Sequence, residues 1–103
     1  MGLASFLFAY LYPIAKPYVG RWRGLYQWLA GHPQRAMQSW KKSLRDGEFY
    51  KMPYEQALTH FEIGRHLPDD SPEKKVHLDQ ARHLFETLDA QVDLALMDGK
   101  KPS

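Results

Sequence analysis

The sequence predicts an all-α fold of antiparallel helical hairpins stacked as a short solenoid, and three observations carry that expectation. Apolar residues recur at three- and four-residue spacing through most of the chain, Pro and Gly punctuate it at short intervals, and no segment alternates strictly as a half-buried strand would. Residues 52–67, MPYEQALTHFEIGRHL, show this best. Pro53 suits a first helical position because the N–H it lacks would be unpaired there anyway, and Glu55 lies in the first turn, where the helix dipole favours an acid. Ala57, Leu58, Phe61, Ile63, Gly64 and Leu67 then mark one face for burial, and residues 68–72, PDDSP, end the pattern.

The remaining elements follow in order. Leu3, Phe6, Leu7, Tyr10, Leu11 and Ile14 make residues 1–15 an apolar N-terminal helix with little polar on its other side, as expected of a helix buried between neighbours or against a partner. Its uncharged run is too short for a bilayer span, is interrupted by Pro13, and lacks the basic start of a secretory signal. A second helix is expected over 16–30, with Pro17 in its first turn and Trp22, Leu25, Tyr26 and Leu29 as its stripe; Gly31-His32-Pro33 stops it and starts the next. The third, over 33–46, turns Ala36, Met37, Trp40 and Leu44 inward, with Gly47 as its stop. Ser71 is the expected N-cap of a fifth helix over 72–88, whose apolar positions are Val76, Leu78, Ala81, Leu84, Phe85 and Leu88. A short helix over 90–97 and a disordered tail over 99–103 complete the chain. The expected organisation is thus an N-terminal helix (1–15), two hairpins within 16–90 (16–47 and 52–88), and a C-terminal helix with tail (91–103).

Composition bounds the function. The chain has 103 residues, enough for one domain, and 44% hydrophobic content with three Trp, six Tyr and five Phe argues for a folded core. A net charge of +2 from interleaved acids and bases predicts solubility and calls for no nucleic acid. With no cysteine, disulfides, thiolate metal sites and a thiol nucleophile are excluded, and a cytoplasmic setting fits.

A weak internal repeat spans the two hairpins. In the first, Gly24 is followed by Gly31, Ala36, Trp40 and Ser43; in the second, Gly64 is followed by Ala81, Phe85 and Leu88. Antiparallel helices approach closely only where one presents Gly or Ala, and a large side chain one turn on fills the gap. This spacing resembles the tetratricopeptide repeat (TPR), with Arg23 and Gln27 standing where that pattern wants apolar residues and about five extra residues at 68–72. The segments WRGLYQWLAG (22–31), MPYEQAL (52–58), EIGRHL (62–67) and HLDQAR (77–82) resemble the C-terminal TPR-like region of large bacterial signalling proteins that join a class III adenylate or guanylate cyclase, or a kinase, to an AAA-type ATPase. The resemblance implies an interaction or regulatory module, since the chain has no Gly-rich phosphate loop and no paired metal-binding carboxylates of a cyclase.

The site expectations follow from the repeat. First helices of successive hairpins line the concave side of such a stack, so Tyr18, Arg21, Leu25, Trp28, Phe61 and Arg65 are the candidate partner-binding residues. Leu25, Trp28 and Phe61 also fit a core role, which leaves Arg21 and Arg65 as the stronger candidates. The expected partner is a protein segment or another domain. Self-assembly is a further possibility, because two repeats are fewer than usually stand alone, and a membrane-surface or assembly role for the apolar first helix is the alternative. Neither nucleic acid nor a membrane is an expected partner: Trp22, Trp28 and Trp40, although set among Arg21, Arg23, Arg35, Lys41, Lys42 and Arg45, lie on apolar stripes and read as core. No metal site, cofactor or catalytic group is expected. His60 and His66, like His77 and His83, are six apart and so on different faces of a helix, and Glu55, Glu62 and Asp79 have no pocket to converge in.

Overall fold

In the computed structural model residues 3–99 are described, with side chains from residue 15 onward. Five helices follow one another: α1 (Leu3–Leu29), α2 (Pro33–Phe49), α3 (Pro53–His66), α4 (Pro72–Thr87) and α5 (Gln91–Met97), with no strand among the described residues. The fold is all-α, built of antiparallel helical hairpins. α1 pairs with α2 and α3 with α4; α3 also packs on both α1 and α2, and α5 on α4.

Pro33, Pro53 and Pro72 each open a helix as expected, and none of these helices has a side-chain cap. Ser71 does hold the N-cap position of α4, but its hydroxyl makes no cap bond. Three of the helix ends share one device. After α1, α2 and α4 the residues at the turn, Gly31 (φ 88°), Lys51 (φ 54°) and Asp89 (φ 55°), adopt left-handed backbone. The next amide in each case reaches back five residues: His32 to Gln27, Met52 to Gly47 and Ala90 to Phe85, at 2.8–2.9 Å. These are Schellman closures, which satisfy carbonyls that the helix leaves orphaned. α3 ends differently, because Leu67 precedes Pro68 and is forced extended (φ −69°, ψ 149°). Lys74 Nζ donates to the carbonyls of Gly64 and Leu67 at 2.8 and 3.0 Å, placing a cation where the helix dipole favours one.

Lys51 is exposed and pays for its left-handed backbone without any compensating side-chain bond described for it. Lys51→Gly is expected to relieve about 1 kcal/mol of that strain and to lose part of it to glycine's greater unfolded-state freedom. A net gain of about 0.5 kcal/mol should appear as a higher urea midpoint at unchanged slope.

Three expectations are corrected. The break between residues 15 and 16 is absent, and α1 runs unbroken through Pro13 and Pro17. Each proline removes one backbone bond, but Pro17 is buried against α2 and its carbonyl accepts the Ser43 hydroxyl at 2.6 Å, so packing holds the helix through it. Gly47 does not stop α2; it is buried inside it, where a Cβ would come within 2.8 Å of the Gln56 side chain. The stripe expected of residues 16–30 is turned outward, since Trp22, Tyr26 and Leu29 are exposed. The face that packs on α2 is instead built from Pro17, Gly20, Gly24, Leu25 and Trp28. Side chains of residues 1–14 and the tail beyond residue 99 lie outside the described residues.

Two apolar clusters form the core. Ala36, Trp40 and Ile63 are fully buried with Leu25, Trp28, Met37, Leu44 and Leu67 packed around them. Ala57, Ala81 and Phe85 form the second, with Leu58, Phe61, Leu84, Leu94 and Met97. A buried polar seam joins α1, α2 and α3, in which Ser43 lies 3.1 Å from the Thr59 hydroxyl while donating to Pro17.

Candidate protein-binding face

α1 and α3 lie side by side, and their exposed edge carries the most distinctive surface chemistry of the chain. Tyr18, Trp22, Tyr26 and Leu29 recur every three or four residues along α1 and are 51%, 48%, 74% and 74% exposed. The Arg21 guanidinium sits 5.5 Å from the Tyr18 ring centre and 5.2 Å from that of Trp22, and the two rings meet edge to face at 6.2 Å. Arg21 Nε also pairs with Glu55 of α3 at 3.4 Å, where both side chains are mostly buried. Beside Glu55, the Tyr54 hydroxyl donates to Asp93 of α5 at 3.0 Å. Partial burial first, and then that hydrogen bond, hold the Tyr54 phenol above its ordinary pKa. Through Arg21–Glu55 and Tyr54–Asp93 the first turn of α3 is tied to both α1 and α5.

The structure separates the six candidate residues into an edge pair, a core trio and Arg65 by itself. Tyr18 and Arg21 belong to the aromatic edge just described. Leu25 and Trp28 pack in the first core cluster, Trp28 stacking on Trp40 at 5.8 Å, and Phe61 packs in the second. Arg65, half exposed, lies 5.8 Å over Phe61 and pairs with Glu62 at 3.1 Å. With Arg21 beside the first turn of α3 and Arg65 in its last, the two arginines are separated by roughly 15 Å of helix rise. Trp22, Tyr26 and Leu29 are the residues that sequence reasoning misplaced, and Gly20 and Gly24, four apart, were the signal for the true contact face. Tyr54 and Asp93 were not singled out; their pairing depends on how α5 folds back.

The acidic groups are dispersed. Glu55 faces Arg21, Asp79 pairs with Lys75 at 2.6 Å on the surface, and Glu62 is buried, its carboxylate paired with the half-exposed Arg65 and its carbonyl accepting from His66 Nδ1 at 2.8 Å. Among the described residues no group of three His, Cys, Asp or Glu is placed to hold a metal, and no helix is long and apolar enough to cross a membrane.

Across the second hairpin, however, His60 of α3 and His77 of α4 face each other with Nδ1 atoms 2.9 Å apart. Spacing along one helix could not reveal a pair drawn from two. Burial, and then His77, lower the His60 pKa to about 4 from 6.5, and burial lowers His77 as well, with Glu73 opposing and Lys41 of α2 assisting. A histidine depressed on folding stabilises the native state fully above its unfolded pKa and loses that contribution as pH falls toward its folded one. In chelator-treated buffer, stability is expected to fall between pH 6.5 and about 4, by about 2 kcal/mol once partial exposure is allowed for. His60→Gln should flatten this segment of a pH series of urea midpoints.

The fold and this face define a protein of stacked helical hairpins with an aromatic and arginine edge. The chain matches no protein-family profile, no curated protein and no solved structure.

Proposed function

We propose that this chain is a noncatalytic, TPR-like interaction module that binds a protein segment along the α1–α3–α5 edge. The observation that carries the reading is Arg21 held between Tyr18 and Trp22 and anchored by Glu55. Large aromatic rings kept at the surface expose apolar area, and the mostly buried Arg21 beside Tyr18 and Trp22 holds those two rings in place, so they lose little freedom on binding. Because Glu55 already balances Arg21, the matching segment carries apolar or aromatic anchors rather than a string of acids. The resemblance in residues 22–31, 52–58, 62–67 and 77–82 extends the proposal to a cytoplasmic, bacterial signalling setting, as the tail of an ATPase–cyclase protein or its separately encoded counterpart.

Selection of a random peptide library on the purified chain tests this. Enriched peptides should share apolar anchors and bind Trp22→Ala at least about tenfold more weakly, with helicity and thermal midpoint near those of the parent because Trp22 is half exposed. Absence of enrichment, or equal binding to the variant, rejects the edge as a binding face.

One observation favours assembly as a second reading. Ser43 lies against Pro17 and Trp40 against Arg21, so the 27-residue α1 outruns the 17-residue α2 at its N-terminal end. A solution mass that rises with concentration, and returns to monomer in Leu7→Lys, supports it; a monomer throughout opposes it.

A further inference from the structure

We propose that His60 and His77 form a two-histidine site for a borderline divalent cation, Zn2+ or Cu2+, which would link α3 to α4. The geometry begins with Gly64, one turn beyond His60, whose absent Cβ would lie 2.6 Å from Leu78, the neighbour of His77. That close approach of the two helices brings the imidazoles together, their ring centres 5.2 Å apart and tilted by 35°. Their Nδ1 atoms stand 2.9 Å apart, so each is aimed at the other and the pair shares one proton. A tetrahedral ion with metal–nitrogen bonds of 2.0–2.1 Å needs its two nitrogens roughly 3.3 Å apart. An opening of about 0.4 Å, with each ring swung by roughly 35° so that the two lone pairs converge on the ion instead of on each other, converts the hydrogen-bonded pair into a chelating one.

The surrounding charges suit a soft-to-borderline ion. Both imidazoles are kept neutral near pH 7, so uptake of the ion needs no net loss of a proton: the one shared between the Nδ1 atoms moves to the Nε2 of its ring, and both Nδ1 lone pairs are freed. Glu73, one turn before His77 on α4, adds negative potential, and Lys41 of α2 opposes it. Two nitrogens fill two of four positions and leave the others to water, or to a ligand brought by a partner, since no third His, Cys, Asp or Glu joins the pair among the described residues. Nitrogen ligands and the lack of a carboxylate cage select against Mg2+ and Ca2+.

The test titrates ZnCl2 into the metal-stripped full-length chain and follows the thermal midpoint and the imidazole proton resonances, with MgCl2 as the hard-ion control. One equivalent of Zn2+ should raise the midpoint and shift the resonances of two histidines, and Mg2+ should do neither. His60→Gln and His77→Gln should each weaken binding by at least about tenfold, the loss that even an outer-sphere partner causes, whereas His83→Gln, on the exposed side of α4, should not change it. Lys41→Gln removes the opposing cation and should tighten binding, which keeps the question open to measurement if either pair variant unfolds. Binding unaltered in both His60→Gln and His77→Gln, or no uptake at submillimolar Zn2+, overturns the proposal.

Discussion

Trp40→Ala is expected to cost about 3–5 kcal/mol, a large share of what a domain of this size possesses. Trp40 is fully buried at the junction of α1, α2 and α3, stacked on Trp28 and 5.5 Å from the His66 ring. Its Nε1 donates to the Arg21 carbonyl at 3.0 Å. Truncation removes the apolar contact, leaves a cavity that three helices cannot all close, and frees the strip of α1 that the indole covers. Because the same residue fixes the rotation of α1, the outward stripe of Tyr18, Trp22 and Tyr26 should lose its setting together with the core. Trp40→Phe keeps the volume of one ring, loses the hydrogen bond, and is expected to cost about 1–2 kcal/mol. Urea unfolding followed by near- and far-ultraviolet circular dichroism measures both; a Trp40→Ala variant within 1 kcal/mol of the parent would show that the junction is not where the stability resides.

How far this architecture could be read in advance depended on whether a feature is local. The starts of α2, α3 and α4 were legible because proline at a first helical position acts through its own ring. The inward faces of α2 and α4 were legible because Ala36 and Trp40, and Ala81 and Phe85, repeat at helical spacing and are buried. α1 defeated the same reasoning twice. Its prolines looked like breaks, yet the bond from Ser43 to the Pro17 carbonyl and the burial of Pro17 outweigh the lost amide bond. Its aromatic stripe looked like core, yet burial follows the glycines, because a bulky indole on α2 needs bare backbone to lie on. Hydrophobicity alone therefore pointed to the wrong face.

The candidate edge shows the same division. Tyr18 and Arg21 could be proposed from the hairpin repeat, whereas Trp22 became visible as a surface residue only once Trp40 was seen to claim the opposite side of α1. Tyr54 with Asp93, and His60 with His77, are separated by 39 and 17 residues, and each pair exists only through the packing of distinct helices. No periodicity within one helix encodes such a contact. A hairpin does carry one sequence cue, since residues at matched distances from its turn face one another, and His60 and His77 stand in that relation about residues 68–69.

Gly24 and Gly64 occupy corresponding places in the two hairpins, but substitution by alanine is expected to separate them. At Gly24 a Cβ would lie 2.3 Å from Trp40 Nε1 and 2.4 Å from its Cδ1. The indole is rigid, hydrogen-bonded and stacked, so either it leaves its place or the helices part; a loss of about 2–3 kcal/mol is expected, even after the roughly 1 kcal/mol that alanine gains over glycine within a helix. At Gly64 the nearest atoms are Leu78 Cδ2 and Cγ at 2.6 and 2.7 Å. Leu78 is only partly buried and can change rotamer for about 1 kcal/mol, which the helix-propensity gain offsets, so Gly64→Ala should fall within about 1 kcal/mol of the parent. The double variant Gly24→Ala/Trp40→Leu discriminates further. If the indole is what the new methyl strikes, the two losses overlap and the double variant is less damaged than their sum by about 1 kcal/mol or more. Strict additivity would mean that Gly24 is required for a reason other than Trp40, and the register of α1 on α2 would then have to be set elsewhere, at Gly20 and Ser43, where a Cβ would come within 3.1 Å.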